Sequence, residues 1–454
     1  MIFTILLGLF GLGIIIIIHE LGHFVAANLS GIEVETFSVG FGKRIFGIKK
    51  NKTLYQVSLI PFGGYCKLKG DDLLRLAVQK ELTKIPDEKS SFFSVHPLKR
   101  VAVAVAGPLF NLIFAFLVLT IVWWSGFYIY SPSNRIVLAT DYSLDSFKSE
   151  PPATRAGLKT GDIIIGINGK PVRNFQDLLE IVSVNAGEKL NLSVKRDSRV
   201  INLFLTPELD INTGAGKIGV YSWIVPVVWK VDKSSPAQIA GVKPGDIITM
   251  VNNRKVSNVL DISTVLKKKP SKINVTLLRK NTKVNTTLIP FYDEKEIPKL
   301  GISFKEAKYR LGGLGFMDGV KKGYNETIRT IGMTLKGIVL LFRGINMHNA
   351  VAGPLRIGYY IGNATSSGFS LGFRRGIISF SRLLALLSIV LFIMNLLPLP
   401  AFDGGQTVLF LTEFITGRKI SPKLIYRIQI FGFSFMILLA VIITFSDVLF
   451  FMGK

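Results

Sequence analysis

The chain has a single cysteine, Cys66, in 454 residues, so no intrachain disulfide can form and every domain must hold by packing alone. Histidine is nearly as scarce, at four. No lysine or arginine precedes Lys43, which removes the basic n-region of a cleaved leader peptide. Acidic residues number 30 against 55 basic ones, for a net charge of +25. Such an excess would suit nucleic acid. The lysines, however, are spread through every polar stretch and no nucleic-acid motif occurs, so attraction to anionic lipid surfaces is the simpler consequence. Charge is also missing locally. From Ile2 to Ala27 the only charged side chain is Glu20, and about 20 apolar residues suffice for a helix to cross the hydrocarbon of a bilayer.

Inside that apolar run stands His19-Glu20-Leu21-Gly22-His23. On a helix the two histidines lie one turn apart on one face, about 6 Å along the axis, where both imidazoles can share a Zn²⁺ ion. Glu20 is adjacent to the first histidine and can reach a metal-bound water without ligating the metal. Zinc lowers the pKa of that water to about 7, and a carboxylate so placed can take its proton. A charged group inside a membrane helix costs about 2–3 kcal/mol, so its presence there marks function. A soluble zinc hydrolase with a separate anchor is excluded, because the motif lies within the anchor.

A hydrolytic zinc site uses three protein ligands and leaves a fourth position for water. His96 and His348 flank polar or basic text and are poor candidates. Asp403 is the better one, in Asn395-Leu-Leu-Pro-Leu-Pro-Ala-Phe-Asp403-Gly-Gly at the end of an apolar stretch from about Ile377 to Leu399. Pro398 and Pro400 break the helix there, and irregular backbone at membrane depth is tolerated only where it is buried in protein or lines a wet cavity.

With these motifs the chain resembles the site-2 proteases, intramembrane zinc metalloproteases, and most closely their bacterial branch of the regulator of sigma-E protease type with tandem PDZ domains. His19 to His23 matches the family's HExxH, and Asn395 to Gly405 resembles its NxxPxPxLDG motif, with Phe402 in place of the usual leucine. Gly63-Gly64-Tyr65 and Ala106-Gly107-Pro108-Leu109-Phe110-Asn111 also resemble family positions. The resemblance implies Zn²⁺ held by His19, His23 and Asp403, Glu20 as base, and Asn395, Gly63 and Gly64 as substrate-positioning residues. It implies a multi-pass protein of the bacterial cytoplasmic (inner) membrane. Its substrates would be membrane-spanning proteins already trimmed outside, such as anti-sigma factors and remnant signal peptides.

Mean hydropathy of +0.42 is high for a soluble enzyme and low for an all-membrane protein. Four membrane helices can be read, at about Ile2–Ala27, Val101–Tyr130, Ile377–Leu399 and Leu424–Phe451, with Arg427 and Asp447 of the last near enough to an interface to be solvated. Lys43, Arg44, Lys49, Lys50 and Lys52, then Lys99 and Arg100, then Arg418, Lys419 and Lys423 favour the cytoplasm for the short loops. The catalytic motifs would then lie near the cytoplasmic side and the long middle segment outside.

The stretch Glu33–Leu68 alternates partly and is rich in β-formers, which predicts one or two hairpins dipping against the membrane. An exposed strand edge there could hold a substrate extended for attack. The middle segment repeats itself. Pro152-Ala-Thr-Arg-Ala-Gly157 through Gly161-Asp162 recurs as Pro236-Ala-Gln-Ile-Ala-Gly241 through Gly245-Asp246, 84 residues on. The repeat resembles bacterial PDZ domains, which either bind an exposed chain end or act as a steric filter. Phe316–Phe342 is amphipathic and predicts a helix along the membrane surface. The expected fold is thus a polytopic α-helical membrane protein with four transmembrane helices, a membrane-associated β-loop and two external PDZ-like β-rich domains. The expected segments are 1–130 (two helices, HExxH, β-loop), 131–221 and 222–305 (PDZ-like), 306–375 (amphipathic juxtamembrane) and 376–454 (two helices, aspartate motif). The partners expected are membrane-spanning substrates and the lipid bilayer, with no nucleic acid. A non-catalytic scaffold presenting PDZ domains is the alternative, but it has no need of a buried Glu20.

Overall fold

The computed structural model describes residues 2–142, 149–211, 213–293, 296–341, 353–370 and 372–452. They divide into two compact units, one of Met1–Phe127 with Leu311–Lys454 and one of Tyr128–Arg310. His348 lies outside the described residues.

Among the described residues the first unit is helical apart from one curled sheet, a short 3-10 turn at Phe92–Ser94 and the strand ends at Phe127 and Leu311. Its helices are α1 (Ile2–Ser30), α2 (Asp71–Gln79), α3 (Pro97–Ser125), α4 (Phe316–Leu341), α5 (Pro354–Ser370), α6 (Phe373–Leu396), α7 (Asp403–Thr416) and α8 (Pro422–Phe451). Of these, α1 from Leu6, α3, α6 and α8 are long and apolar enough to cross a membrane. The second span is shorter than its sequence suggests. α3 ends at Ser125 because Gly126, at φ 63°, turns the chain, and Phe127–Ser131 is extended, so Tyr128 and Tyr130 belong to a strand.

Close packing of α1, α3 and α6 forms the centre. Gly22 of α1 meets the Ala106 carbonyl of α3 so closely that a Cβ there would lie 2.3 Å from that oxygen. Between α3 and α6 lie the buried Ala115, Leu119, Ala385, Ile389 and Ile393. α7 is held on α3 by a buried pair, Arg100 with Glu413 at 2.8 Å, the guanidinium also stacking on Phe410. Arg100 is therefore paired inside the folded protein and is not exposed at its surface.

One further expectation, a solvated Asp447, is corrected. α4 is packed along one side. It runs beside α3, with Gly319 against Trp124 and Gly323 against Thr120, and its buried Glu326 accepts from the Trp123 indole and pairs with Arg382 at 2.7 Å. Tyr324, Ile328 and Leu335, its apolar face, are exposed. Asp447 is not solvated but fully buried. It accepts from the backbone N–H groups of Gly353, Leu355 and Arg356 at the start of α5 and from the Arg356 side chain at 3.0 Å. This gives Gly353 and Arg356 in the Gly353-Pro354-Leu355-Arg356 run a structural role. A Cβ at position 353 would sit 2.5 Å from the Asp447 carboxylate.

The β-loop is one hairpin of β1 (Val34–Lys50) and β2 (Thr53–Leu68) that folds back on itself. Phe37 pairs with both Tyr55 and Cys66, and Lys49 pairs with Leu54, so the segments lie in the order 64–67, 36–39, 54–57, 46–49. Gly40 and Gly63, at φ 92° and 129°, sit at the bends, where only glycine turns without strain.

The second unit holds the two repeats. Each builds a four-stranded antiparallel sheet in one strand order: Lys170–Pro171, Ile163–Ile167, Leu190–Arg196, Arg199–Leu205 in the first, and Arg254–Lys255, Ile247–Val251, Ile273–Arg279, Thr282–Leu288 in the second. The repeated Gly-Asp is structural. Asp162 accepts from the Lys159 N–H and from Arg196, and Asp246 from the Lys243 N–H and from Arg279. Each arginine also donates back to the glycine carbonyl of its own turn, Gly157 or Gly241. Burial pushes the Asp246 carboxyl up, but the bonds from Arg279 and the Lys243 N–H more than offset this and hold it below the usual aspartate range. A lowered folded value means that the stabilisation is complete above the unfolded value near 3.9 and is lost as pH falls through the folded one. Asp246→Ala is expected to destabilise the second repeat by about 2–3 kcal/mol at neutral pH. The gap between variant and wild type should close in acid, as read by denaturant unfolding. A pH-independent gap would assign the loss to packing instead.

Candidate metal centre

His19, Glu20 and His23 lie on α1, where it crosses α3. Asp403 is the first residue of α7, straight after the break at Leu397–Phe402. The helix expected to end near Leu399 stops at Leu396, and the short helix α7 that restarts at Asp403 was not foreseen. Gly404 and Gly405 let it start there, since a Cβ at either would lie within 2.3 Å of the Leu397 or Leu399 carbonyl oxygen.

The break brings the carboxylate onto the histidines. His19 Nε2 is 3.0 Å from Asp403 Oδ2, His23 Nε2 is 3.6 Å from it, and the two Nε2 atoms are 3.1 Å apart. The side chains are only 11, 14 and 16% exposed. Ligand bonds of about 2.0–2.2 Å in a tetrahedron put ligand atoms about 3.3–3.6 Å apart, so the three donors fit one zinc ion with little adjustment. His23 Nδ1 donates to the Val103 carbonyl at 2.8 Å, which leaves its Nε2 lone pair free for the cluster. Room for the ion comes from Gly107 on α3. A Cβ there would lie 2.4 Å from His23 Nε2 and 2.9 Å from His19 Cε1.

Glu20 is held differently. Its Oε2 accepts from the Cys66 backbone N–H of β2 at 3.0 Å, so the carboxylate is tied to the strand. Gly64 lies on the same strand, 3.7 Å from Ile17 of α1 by the position of an added Cβ and against the Ser38 carbonyl. Gly63 packs on Phe41 at the bend. Asn395 is half-buried in the last turn of α6. His96 caps α3, its Nδ1 accepting from the Leu98 N–H, and takes no part in the cluster. Sequence reasoning gave Asn111 no role at the metal, yet its side-chain amide lies 3.3 Å from His19 Nδ1.

A family model described as Peptidase family M50 matches residues 7–439. The chain belongs to peptidase family M50. Its relatives agree over full length. A Treponema pallidum protein named as a candidate zinc metalloprotease is 37% identical over 98% of both chains. One of the same name from Borreliella burgdorferi is 32% identical over 98% of both. The regulator of sigma E protease of Haemophilus influenzae is 28% identical over 96% of this chain and 97% of its own. A solved PDZ domain of a Listeria monocytogenes SdrC-like protein covers 18% of the chain at 17% identity with a TM-score of 0.16, too slight a likeness to assign the repeats. Membership of family M50 makes the protein a membrane-embedded zinc metalloprotease.

Proposed function

We propose that this M50 peptidase cleaves the transmembrane segments of single-span proteins after their outer domains have been removed, anti-sigma factors and remnant signal peptides among them. The observation that carries the reading is the donor cluster itself, with Glu20 beside it, on a helix apolar enough to cross a membrane. His19, His23 and Asp403 hold the zinc, which when bound supplies a Lewis acid that makes water nucleophilic near neutral pH. Glu20 takes the proton of the attacking water and returns it to the leaving amine nitrogen of the cleaved peptide bond. Cys66 keeps the Glu20 carboxylate aimed through its N–H bond.

A peptide bond in a helix is shielded by its own hydrogen bonds, so the substrate must first be extended. Among the described residues, segment 64–67 is one of the two edge segments of the curled sheet, and the Cys66 N–H points from it to Glu20. Its edge lies where an added strand would run past the base, with Gly63 and Gly64 letting this segment pack closely on Phe41 and Ser38 and so setting its place, and Asn395 orienting the chain.

The repeats are two PDZ-like domains on the outer side of the inner membrane, filtering substrates by size, and the metal lies near the cytoplasmic side. Reporter fusions near residues 75 and 420 should then read cytoplasmic, and those between 140 and 300 external. The reverse would invert the topology. Deleting about residues 134–304 should leave bound zinc and cleavage intact while admitting substrates with bulky outer domains. A zinc-loaded deletion protein that still refuses them would contradict the filter.

A further inference from the structure

We infer that Asn111 is a positioning residue that fixes the ring tautomer of His19, so that its Nε2 faces the metal with a free lone pair. The inference rests on the reading of His19, His23 and Asp403 as the zinc site. Asn111 is fully buried on α3, and its side-chain amide is 3.3 Å from His19 Nδ1. Its backbone is clamped from the other side, where the buried Ser388 hydroxyl of α6 donates to the Asn111 carbonyl at 2.8 Å. The turn of α3 that carries the amide is therefore held against α6.

Which end of the amide faces the ring decides the chemistry. With Nδ2 toward His19, the amide donates to Nδ1, the ring proton sits on Nε2, and that nitrogen cannot bind a metal. With Oδ1 toward His19, the ring N–H is on Nδ1 and Nε2 is left bare. Oxygen and nitrogen of an amide are told apart only by their hydrogen bonds. With Nδ2 facing the ring, Oδ1 is buried without any partner, so nothing beyond His19 selects that orientation. The converging donors do select. His23 already donates from Nδ1 to Val103 and presents a bare Nε2, and His19 Nε2 stands 3.1 Å from it and 3.0 Å from the Asp403 carboxylate. A cation among the three needs the same tautomer from His19, and the Asn111 carbonyl oxygen supplies its acceptor. The two histidines thus differ: His23 is oriented by backbone and His19 by a side chain, which makes only the second open to mutation.

The test is zinc affinity of the purified full-length protein, measured by competition with a chromogenic chelator for wild type, Asn111→Leu and Asn111→Asp. Thermal unfolding of the zinc-free forms checks each fold. Asn111→Leu keeps the volume but removes the acceptor, and should weaken zinc by about 10–100-fold, the usual effect of losing such an outer partner. Asn111→Asp keeps an acceptor oxygen at the ring and should stay within a few-fold of wild type. Ser388→Ala, which loosens the clamp and leaves the amide in place, should show a smaller loss than Asn111→Leu. Wild-type affinity in a folded Asn111→Leu protein would overturn the inference. So would an Asn111→Asp protein that folds yet loses zinc as fully as the leucine variant, because an acceptor oxygen at the ring would then not be what orients His19. A wild-type protein that holds no zinc would instead sink the reading of the site itself.

Discussion

Glu20→Gln should lower peptide cleavage by about 10²–10⁴-fold while the purified protein keeps its zinc. A general base contributes roughly that factor. Glutamine matches glutamate in shape, and its amide oxygen can still accept from the Cys66 N–H, so the local structure should persist. What the amide cannot do is take a proton. Glu20 is also absent from the converging donor set of His19, His23 and Asp403, so metal content should not change. The check is zinc by elemental analysis beside turnover of a single-span substrate. Retained turnover would remove Glu20 from the mechanism, and lost zinc would make it a ligand.

Gly107→Ala and Asp403→Ala should both empty the metal site, for opposite reasons. Asp403→Ala removes one donor of three, and the two histidines left do not make a hydrolytic site. Gly107→Ala leaves every donor in place and fills the space they enclose, since the new methyl group would lie 2.4 Å from His23 Nε2. Neither atom can yield easily. His23 is fixed by its bond to the Val103 carbonyl on the same helix α3 that carries Gly107. We expect each variant to lose more than about 100-fold in zinc affinity, beyond the range for outer-sphere partners. The methyl group adds no polar atom and removes none, so full zinc in Gly107→Ala would mean that the histidines move apart and that the site is softer than drawn. Full zinc in Asp403→Ala would put the third ligand elsewhere.

The parts of this site that could be read in the sequence are the parts set by local period. His19 and His23 are one helical turn apart, and the proline pair at 398 and 400 announces a break beside Asp403. The repeat was legible because Gly157-to-Asp162 and Gly241-to-Asp246 are nearly the same text. The reason for that text was not, since it lies in arginines 34 and 33 residues downstream of each aspartate. Long-range polar contacts escaped altogether. Asn111 is 92 residues from His19, and Gly353 is 94 from Asp447. No periodicity links them, and only packing puts them together. Asp447 illustrates the hazard, because a carboxylate near a helix end reads as interfacial when it is in fact buried against Arg356. The helix α7 was hidden by its own start, where Asp403-Gly404-Gly405 reads as a turn and the glycines serve instead for close approach to the preceding carbonyls.

The central claim is that this cluster hydrolyses a peptide bond at membrane depth. Its most direct measurement is the position of the cut. Purified protein and a single-span substrate without its outer domain are reconstituted together in liposomes, and the products are weighed by mass spectrometry. The result expected is zinc-dependent cleavage within the substrate's apolar segment, absent with Glu20→Gln. Cleavage confined to the residues outside that segment, with the segment itself left whole, would contradict the account.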